Sequence, residues 1–285
     1  MNQDGLTEFV ESITTKEYLR PFVSKYKLSK PNVFVVGINP ASSILKIDVN
    51  YDVKRYIDLI TDRESFLTFI QQKNVQKGKQ PFSKTRIGLN HLVEHLETKS
   101  NGKIEVLETN INAYPTKNAK QLKVMSPQIQ KVGQEWFRKL MLEHAPPVVI
   151  VHSLDATRDL MKWLKSEKIL SPLVYNRSYR LKDWIDLGPI PIKYPCGARG
   201  VVFCTKHLKY YGRKGNAFQQ LRDDVLNQCE LLATYLLRKL KGELLGKTVL
   251  LLATVVYQAR RAVPALKDCQ SASLNRLRLA LMSRS

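Results

Sequence analysis

The sequence predicts an α/β protein, a three-layer α/β/α sandwich on a short four-stranded parallel sheet. Two observations predict it. Four short, β-branched and uninterrupted apolar runs recur along the chain, as strands covered on both faces require. Helical patterns separate these runs, and strand–helix–strand alternation implies crossovers that lay strands parallel with helices on both sides.

The first run is Asn32 to Gly37 (NVFVVG), followed by helical patterns at Tyr51 to Gln72 and Thr85 to Thr98. The second is Ile104 to Thr109 (IEVLET), with a helix expected over Pro127 to His144. Val148 to His152 (VVIVH) is the third, and Leu154 to Lys165 the helix after it. The fourth is Val201 to Thr205 (VVFCT), and a last helix, Ala217 to Lys239, closes a domain expected to span residues 1–240. Beyond it, residues 241–285 hold eight Lys/Arg against two Asp/Glu, with Gly242, Gly246 and Pro264. They read as a basic C-terminal extension, either helical or poorly ordered. Within it TVLLLATVVY (248–257) falls short of the roughly 20 apolar residues a membrane span needs, so a buried helix or strand is expected there.

The 285 residues carry 46 Lys+Arg against 25 Asp+Glu, a formal net charge of +21. Hydrophobic residues make up 44% of the chain, enough for a core and against disorder. So large a basic excess favours a polyanionic partner, because each neutralised phosphate releases condensed counterions. Nucleic acid comes first and anionic lipid second. Cys196, Cys204, Cys229 and Cys269 form no CxxC pair and no zinc-like spacing with His, so reduced thiols, no metal and no cofactor are expected. The N-terminus, MNQDGLTEFVES, is acidic and polar where a secretory signal needs a basic start and an apolar run; a cytoplasmic monomer is expected.

In a parallel sheet, ligands bind outside the carboxyl ends of the strands. The segments there are GINPASS, NINAYPT, HSLDAT and KHLKYYGRKG. Taken with QPFSKTRIGLNHL and SPQIQKVGQEWFRKLMLEHAPPVVIVHSLDATRDL, they resemble, in chain order, the uracil-DNA glycosylase superfamily over roughly residues 32 to 216. VFVVGINPA resembles its first motif, VLETN its second strand ending in Asn, and CTKHLKYYGRKG its last motif with the DNA-penetrating loop.

The resemblance implies an enzyme that flips a nucleotide out of the duplex and hydrolyses the bond between sugar and base. Asn39 falls where the family positions the attacking water, and as an amide it would orient that water through its carbonyl oxygen. His207 matches a neutral imidazole that donates to the departing base. Asn110 matches the amide that reads the base edge, and its donor and acceptor suit either uracil or cytosine. Phe82 matches the aromatic under the flipped base, and Gly37, Ile38 and Ala41 would line the pocket with their amides. Ala41 leaves the pocket open at C5 of the pyrimidine, where the strictly uracil-specific branch carries a bulky Tyr; Ser42 and Ser43 add hydroxyls. Tyr210 or Tyr211 would wedge into the stack while Lys206, Lys209, Arg213 and Lys214 meet phosphates. Thr116 and Lys117 add backbone contacts. The matched motifs hold no catalytic Lys, so the resemblance implies water attack leaving an abasic site rather than a Schiff base. Leu208 and Lys209 replace the Pro-Ser that commonly follows this His.

Three functions are therefore open: a glycosylase for uracil or a C5-modified pyrimidine, a phage-defence glycosylase for glucosylated hydroxymethylcytosine, and a non-catalytic sensor of modified or single-stranded DNA. A peripheral membrane protein using the basic extension is a more remote fourth.

Overall fold

The computed structural model describes residues 3–12, 15–25, 31–40, 43–116, 119–212, 215–231 and 234. The chain divides into two units, Met1–Glu230 and Leu231–Ser285. The sheet belongs to the first; the extension 241–285, its apolar run 248–257 and Cys269 lie outside the described residues.

The fold is mixed α/β on a six-stranded sheet. Helix α1 (Gln3–Glu11) leads to β1 (Phe22–Val23), β2 (Val33–Gly37), and helices α2 (Val53–Ile60), α3 (Arg63–Gln76) and α4 (Lys84–Lys99). Then come β3 (Val106–Asn110), α5 (Ala119–Lys123), α6 (Pro127–His144), β4 (Val148–His152), α7 (Leu154–Ser166) and α8 (Leu181–Asp186). β5 (Ile190–Lys193), β6 (Arg199–Thr205) and a helix, α9 (219–231), complete the order.

The strand order is β1-β3-β2-β4-β6-β5. The four predicted strands are its parallel centre, in the registers Val33↔Val106, Val33↔Val148 and Val148↔Val201. The expected four-strand sheet is corrected by two antiparallel edges. β1 pairs Phe22 with Thr109 and β5 pairs Ile190 with Val202. β1 is two residues long, too short for any periodicity, and β5 (IPIK) carries Pro191 and alternates buried with exposed, which suits an edge. Every residue of β2 and β4 is buried, so the middle of the sheet is covered on both faces.

The predicted helix over 51–72 is two. Asp62 stops α2 and starts α3, its carboxylate accepting from the Glu64 and Ser65 amides, an N-cap within a helical window. The expected helix at 217–239 begins with a 3-10 turn, Asn216–Phe218, and then α9; residues 235–239 are outside the described set. No described helix is long and apolar enough to cross a membrane.

β2 has β3 on one side and β4 on the other, so the chain leaves it in both directions. The crevice at the carboxyl ends of these strands is the switch point of the sheet. Gly37 pairs with Asn110 and His152 with Thr205 in register, which brings the ends of all four central strands to one edge.

Candidate functional site

A cavity of about 390 Å³ opens at this edge, a volume typical of small-molecule pockets. Asn39, Phe82, Asn110, Arg86, Glu108 and His152 are on its wall. Three of the site residues read from the sequence, Asn39, Phe82 and Asn110, thus meet in one space.

Hydrogen bonding between β2 and β3 continues past the strands and holds the first motif. Ile111 N donates to Gly37 O (3.0 Å), Asn112 N to Ile38 O (3.0 Å) and Thr116 N to Pro40 O (3.1 Å). Asn39 is fixed by the same loop: its Nδ2 donates to Thr116 Oγ1 (2.6 Å) and to the Thr116 carbonyl (3.0 Å). With the amide nitrogen so committed, Oδ1 is the atom left to accept from a ligand or a water. Thr116 therefore serves as the support of Asn39.

Gly37 is glycine for a steric reason. A Cβ there would lie 2.7 Å from Asn110 Oδ1 and 3.1 Å from His152 Nε2. The backbone of β2 thus forms a bare floor on which an amide and an imidazole converge. Ile38 packs half-buried against the core. Ala41 and Ser42, from which an open C5 edge was read, lie outside the described residues, as does Lys117.

His152 is the imidazole on the cavity wall, and sequence reasoning assigned it no role. The only signal for it was its place at the end of VVIVH. Burial first, then His207 and Arg86, push its pKa down to about 3. The turn after it is strained: Ser153 sits at φ 85, ψ 156, a region open almost only to glycine and costing about 1–3 kcal/mol. The Ser153 hydroxyl, accepting from Ala156 N (3.4 Å), caps α7, and Ser153 N donates to Thr205 O (3.1 Å). These two bonds tie β4, α7 and β6 together beside His152.

His207 lies edge to face with His152, ring centroids 5.2 Å apart, and does not itself line the cavity. The Lys209 amide donates to its Nδ1 (3.2 Å), so the ring proton of the neutral form is on Nε2. Burial first and Lys209 second lower its pKa. Both imidazoles are therefore neutral at neutral pH. A reaction that needs both imidazoles neutral is expected to lose rate only on the acid side of pH 6.5, which a pH–rate profile would check. Stability follows the same sign. The unfolded chain binds the His152 proton near pH 6.5 and the folded chain only near 3, so stability present above 6.5 drains away between those values as pH falls.

The turn that carries His207 is set by α4. Leu208 is wholly buried, and Gly88 lets the helix press on it: a Cβ at Gly88 would lie 2.0 Å from the Leu208 carbonyl oxygen and 2.8 Å from Tyr211 Cβ. The nearer atom is backbone and cannot swing aside. Gly88→Ala is expected to cost ~3 kcal/mol in urea unfolding and to displace His207, since the whole 207–211 turn must retreat.

The two candidates for the wedge, Tyr210 and Tyr211, differ in exposure. Tyr211 is buried, its ring tilted against Phe218 (centroids 5.1 Å apart) with Arg222 over it, so it is not available at the surface. Tyr210 is 60% exposed and lies under the Lys209 ammonium (4.8 Å to the ring centroid). Lys206 and Lys209 are exposed beside it; Arg213 and Lys214 lie outside the described residues.

Sequence reasoning also missed a buried charge cluster, of which Glu108 and Arg86 line the cavity. Glu108, two residues before Asn110 and so on the same face of β3, accepts from Arg63 Nε (2.8 Å) and from Arg86. Burial would raise its pKa, but Arg86 and Arg63 outweigh that and hold it below the usual carboxylate range. Glu108 is therefore an ionised anchor rather than a proton-accepting base. Arg63 is itself fixed by Asn90 Oδ1 (3.0 Å). Among the described residues Cys196, Cys204 and Cys229 are free thiols, and no group of three His, Cys, Asp or Glu is placed to hold a metal.

No family model matches this chain, and no curated protein matches it.

Proposed function

We propose that this chain is a cytoplasmic, monomeric and monofunctional DNA glycosylase that hydrolyses the N-glycosidic bond of a flipped pyrimidine, uracil or a C5-modified base, and leaves an abasic site. The observation that carries the proposal is the convergence of Asn39, Phe82, Asn110 and His152 on one cavity at the switch point of the sheet. Asn39 offers a fixed carbonyl oxygen to a water, Asn110 an amide edge to the base, and Phe82 a ring to its face. The neutral imidazole pair supplies a donor without a competing charge as negative charge gathers on the leaving base. Exposed Lys206, Lys209 and Tyr210 beside the site suit backbone contacts and a wedge. The net charge of +21 suits the polyanion.

The test is abasic-site formation on duplex and single-stranded oligonucleotides bearing uracil, mismatched thymine, hydroxymethylcytosine and its glucosylated forms. Cleavage of any of them above the background of unmodified DNA supports the proposal. Intact strands throughout, beside a working glycosylase control, would overturn it. Release of glucosylated hydroxymethylcytosine alone assigns the phage-defence branch.

A second reading, a non-catalytic sensor of modified DNA, is favoured by one observation: His207 does not line the cavity, whereas His152 does. The two readings part on His152→Gln and His207→Gln. In a glycosylase both variants slow base release with DNA affinity kept, whereas in a sensor binding is the only property to change.

A further inference from the structure

A second cavity, of about 530 Å³, is lined by α7 and by the stretch 175–184, and among the described residues it shares no lining residue with the first. From α7 come Arg158 and Lys162, four residues apart and so on one face of the helix, with Asp159 beside them. From the stretch that follows come Tyr175 and Arg177.

That stretch is held by its own packing. The side-chain oxygen of Asn176 accepts from the Ser178 amide (2.9 Å) and from the Ser178 hydroxyl (2.7 Å), a turn that fixes the backbone on either side of Arg177. The Trp184 ring, 1% exposed, meets Tyr179 edge to face at 5.0 Å and lies 6.3 Å from Tyr175. Lys165 of α7 stands over the Tyr175 ring, 4.5 Å from its centroid, and so ties the stretch to the helix.

The lining is unbalanced in charge. Three cations, Arg158, Lys162 and Arg177, stand against one carboxylate, Asp159, an excess of two positive charges. The other acids of these segments are engaged elsewhere: Asp183 with Arg180, Asp186 with Lys182 and Glu167 with Arg138. Among the described residues none of the three cations is in an ion pair. Like charges one helical turn apart repel, and Arg177 brings a third from another segment.

We infer that this second cavity binds a phosphate monoester through Arg158, Lys162 and Arg177. Guanidinium forks meet two phosphate oxygens with parallel hydrogen bonds. A monoester carries close to two negative charges at neutral pH, which is the excess in the lining, whereas each phosphodiester of a DNA backbone carries one. The half-buried Tyr175 ring offers apolar surface to the group that bears the phosphate. Nothing in this site depends on the glycosylase reading, since none of its residues takes part in the site described for it.

Isothermal titration of the full chain with inorganic phosphate, against chloride at equal ionic strength, tests the site. Saturable binding is expected. Arg158→Gln and Arg177→Gln should each weaken it about tenfold, the loss of one charge-assisted contact, and Lys162→Gln about threefold. Asp159→Asn removes the carboxylate of the lining and should tighten binding about threefold. All four positions are exposed, so the core is untouched, and the Tm of each variant beside wild type checks that it folds. Thymidine 5′-monophosphate is expected to bind more tightly than the phosphodiester of two thymidines, and thymidine itself not to bind this cavity. No binding beyond chloride, unchanged affinity in all four variants, or weaker affinity in Asp159→Asn would overturn the inference. So would a diester that binds as tightly as the monoester, which would give the cavity to the backbone of DNA instead.

Discussion

Asn39→Ala is expected to slow base release by on the order of 10²-fold while leaving DNA affinity within about twofold of wild type, a loss typical of a removed positioning group. The side chain is held at its nitrogen end by both oxygens of Thr116, so its acceptor end has one orientation and a water bound there has one approach. Deleting it leaves Lys206, Lys209 and Tyr210, the residues proposed to contact DNA, unchanged. Asn39→Asp separates this role from charge. A carboxylate would stabilise a cationic sugar better than an amide, but here it would set an oxygen against the Thr116 carbonyl, 3.0 Å from the present nitrogen. The aspartate variant is therefore expected to fall below wild type as well. Single-turnover abasic-site formation, with DNA affinity measured by fluorescence anisotropy, checks both. Wild-type release from Asn39→Ala would remove Asn39 from the mechanism.

What can be read from the chain divides along the length scale of the interaction. The four central strands are legible because each is an apolar run buried on both faces, which few solvated segments imitate; VVIVH and its helices on either side match the structure to within a residue or two. Helix α1 carries a signal in Leu6, Phe9 and Val10, at helical spacing and all buried, though its acidic, polar composition alone says only that it is no secretory leader. The edge strands have no such signal, since antiparallel pairing at an edge is decided by what stands beside it. Asn39, Phe82 and Asn110 are legible because the motif chemistry is local: each lies at the end of a strand or the head of a helix. His152 and the Glu108 cluster are not. Glu108 stands in IEVLET, read as a strand covered on both faces, and nothing local shows that Arg63 and Arg86, from two different helices, close on its carboxylate. Tyr210 and Tyr211 are adjacent and chemically equal in sequence, and only the placement of Phe218, Arg222 and α4 decides which one is buried.

Glu108→Ala is expected to destabilise the fold by about 3–5 kcal/mol, the cost of leaving buried cations without their partner. That is a large share of the 5–15 kcal/mol typical of a domain. The cluster shows why the effect is asymmetric. Arg63 comes from the first turn of α3 and Arg86 from the first turn of α4, so the carboxylate on β3 is what draws two helix starts onto the sheet. Without it the Arg63 and Arg86 guanidiniums, which meet on its two oxygens, lose the charge that compensates them. Glu108→Gln keeps the shape and isolates the charge. Because the folded pKa of Glu108 lies below its ordinary 4.5, its contribution is fully present above 4.5 and is lost as pH falls through the folded value. In Glu108→Gln that acid limb should vanish, so that Tm changes less below pH 4.5 than in wild type, while the decline set by His152 between 6.5 and 3 persists. Urea unfolding at pH 7, with Tm followed from pH 7 to 3, measures both parts. A glutamine variant as stable as wild type at pH 7 would mean that the carboxylate does not hold the two helices.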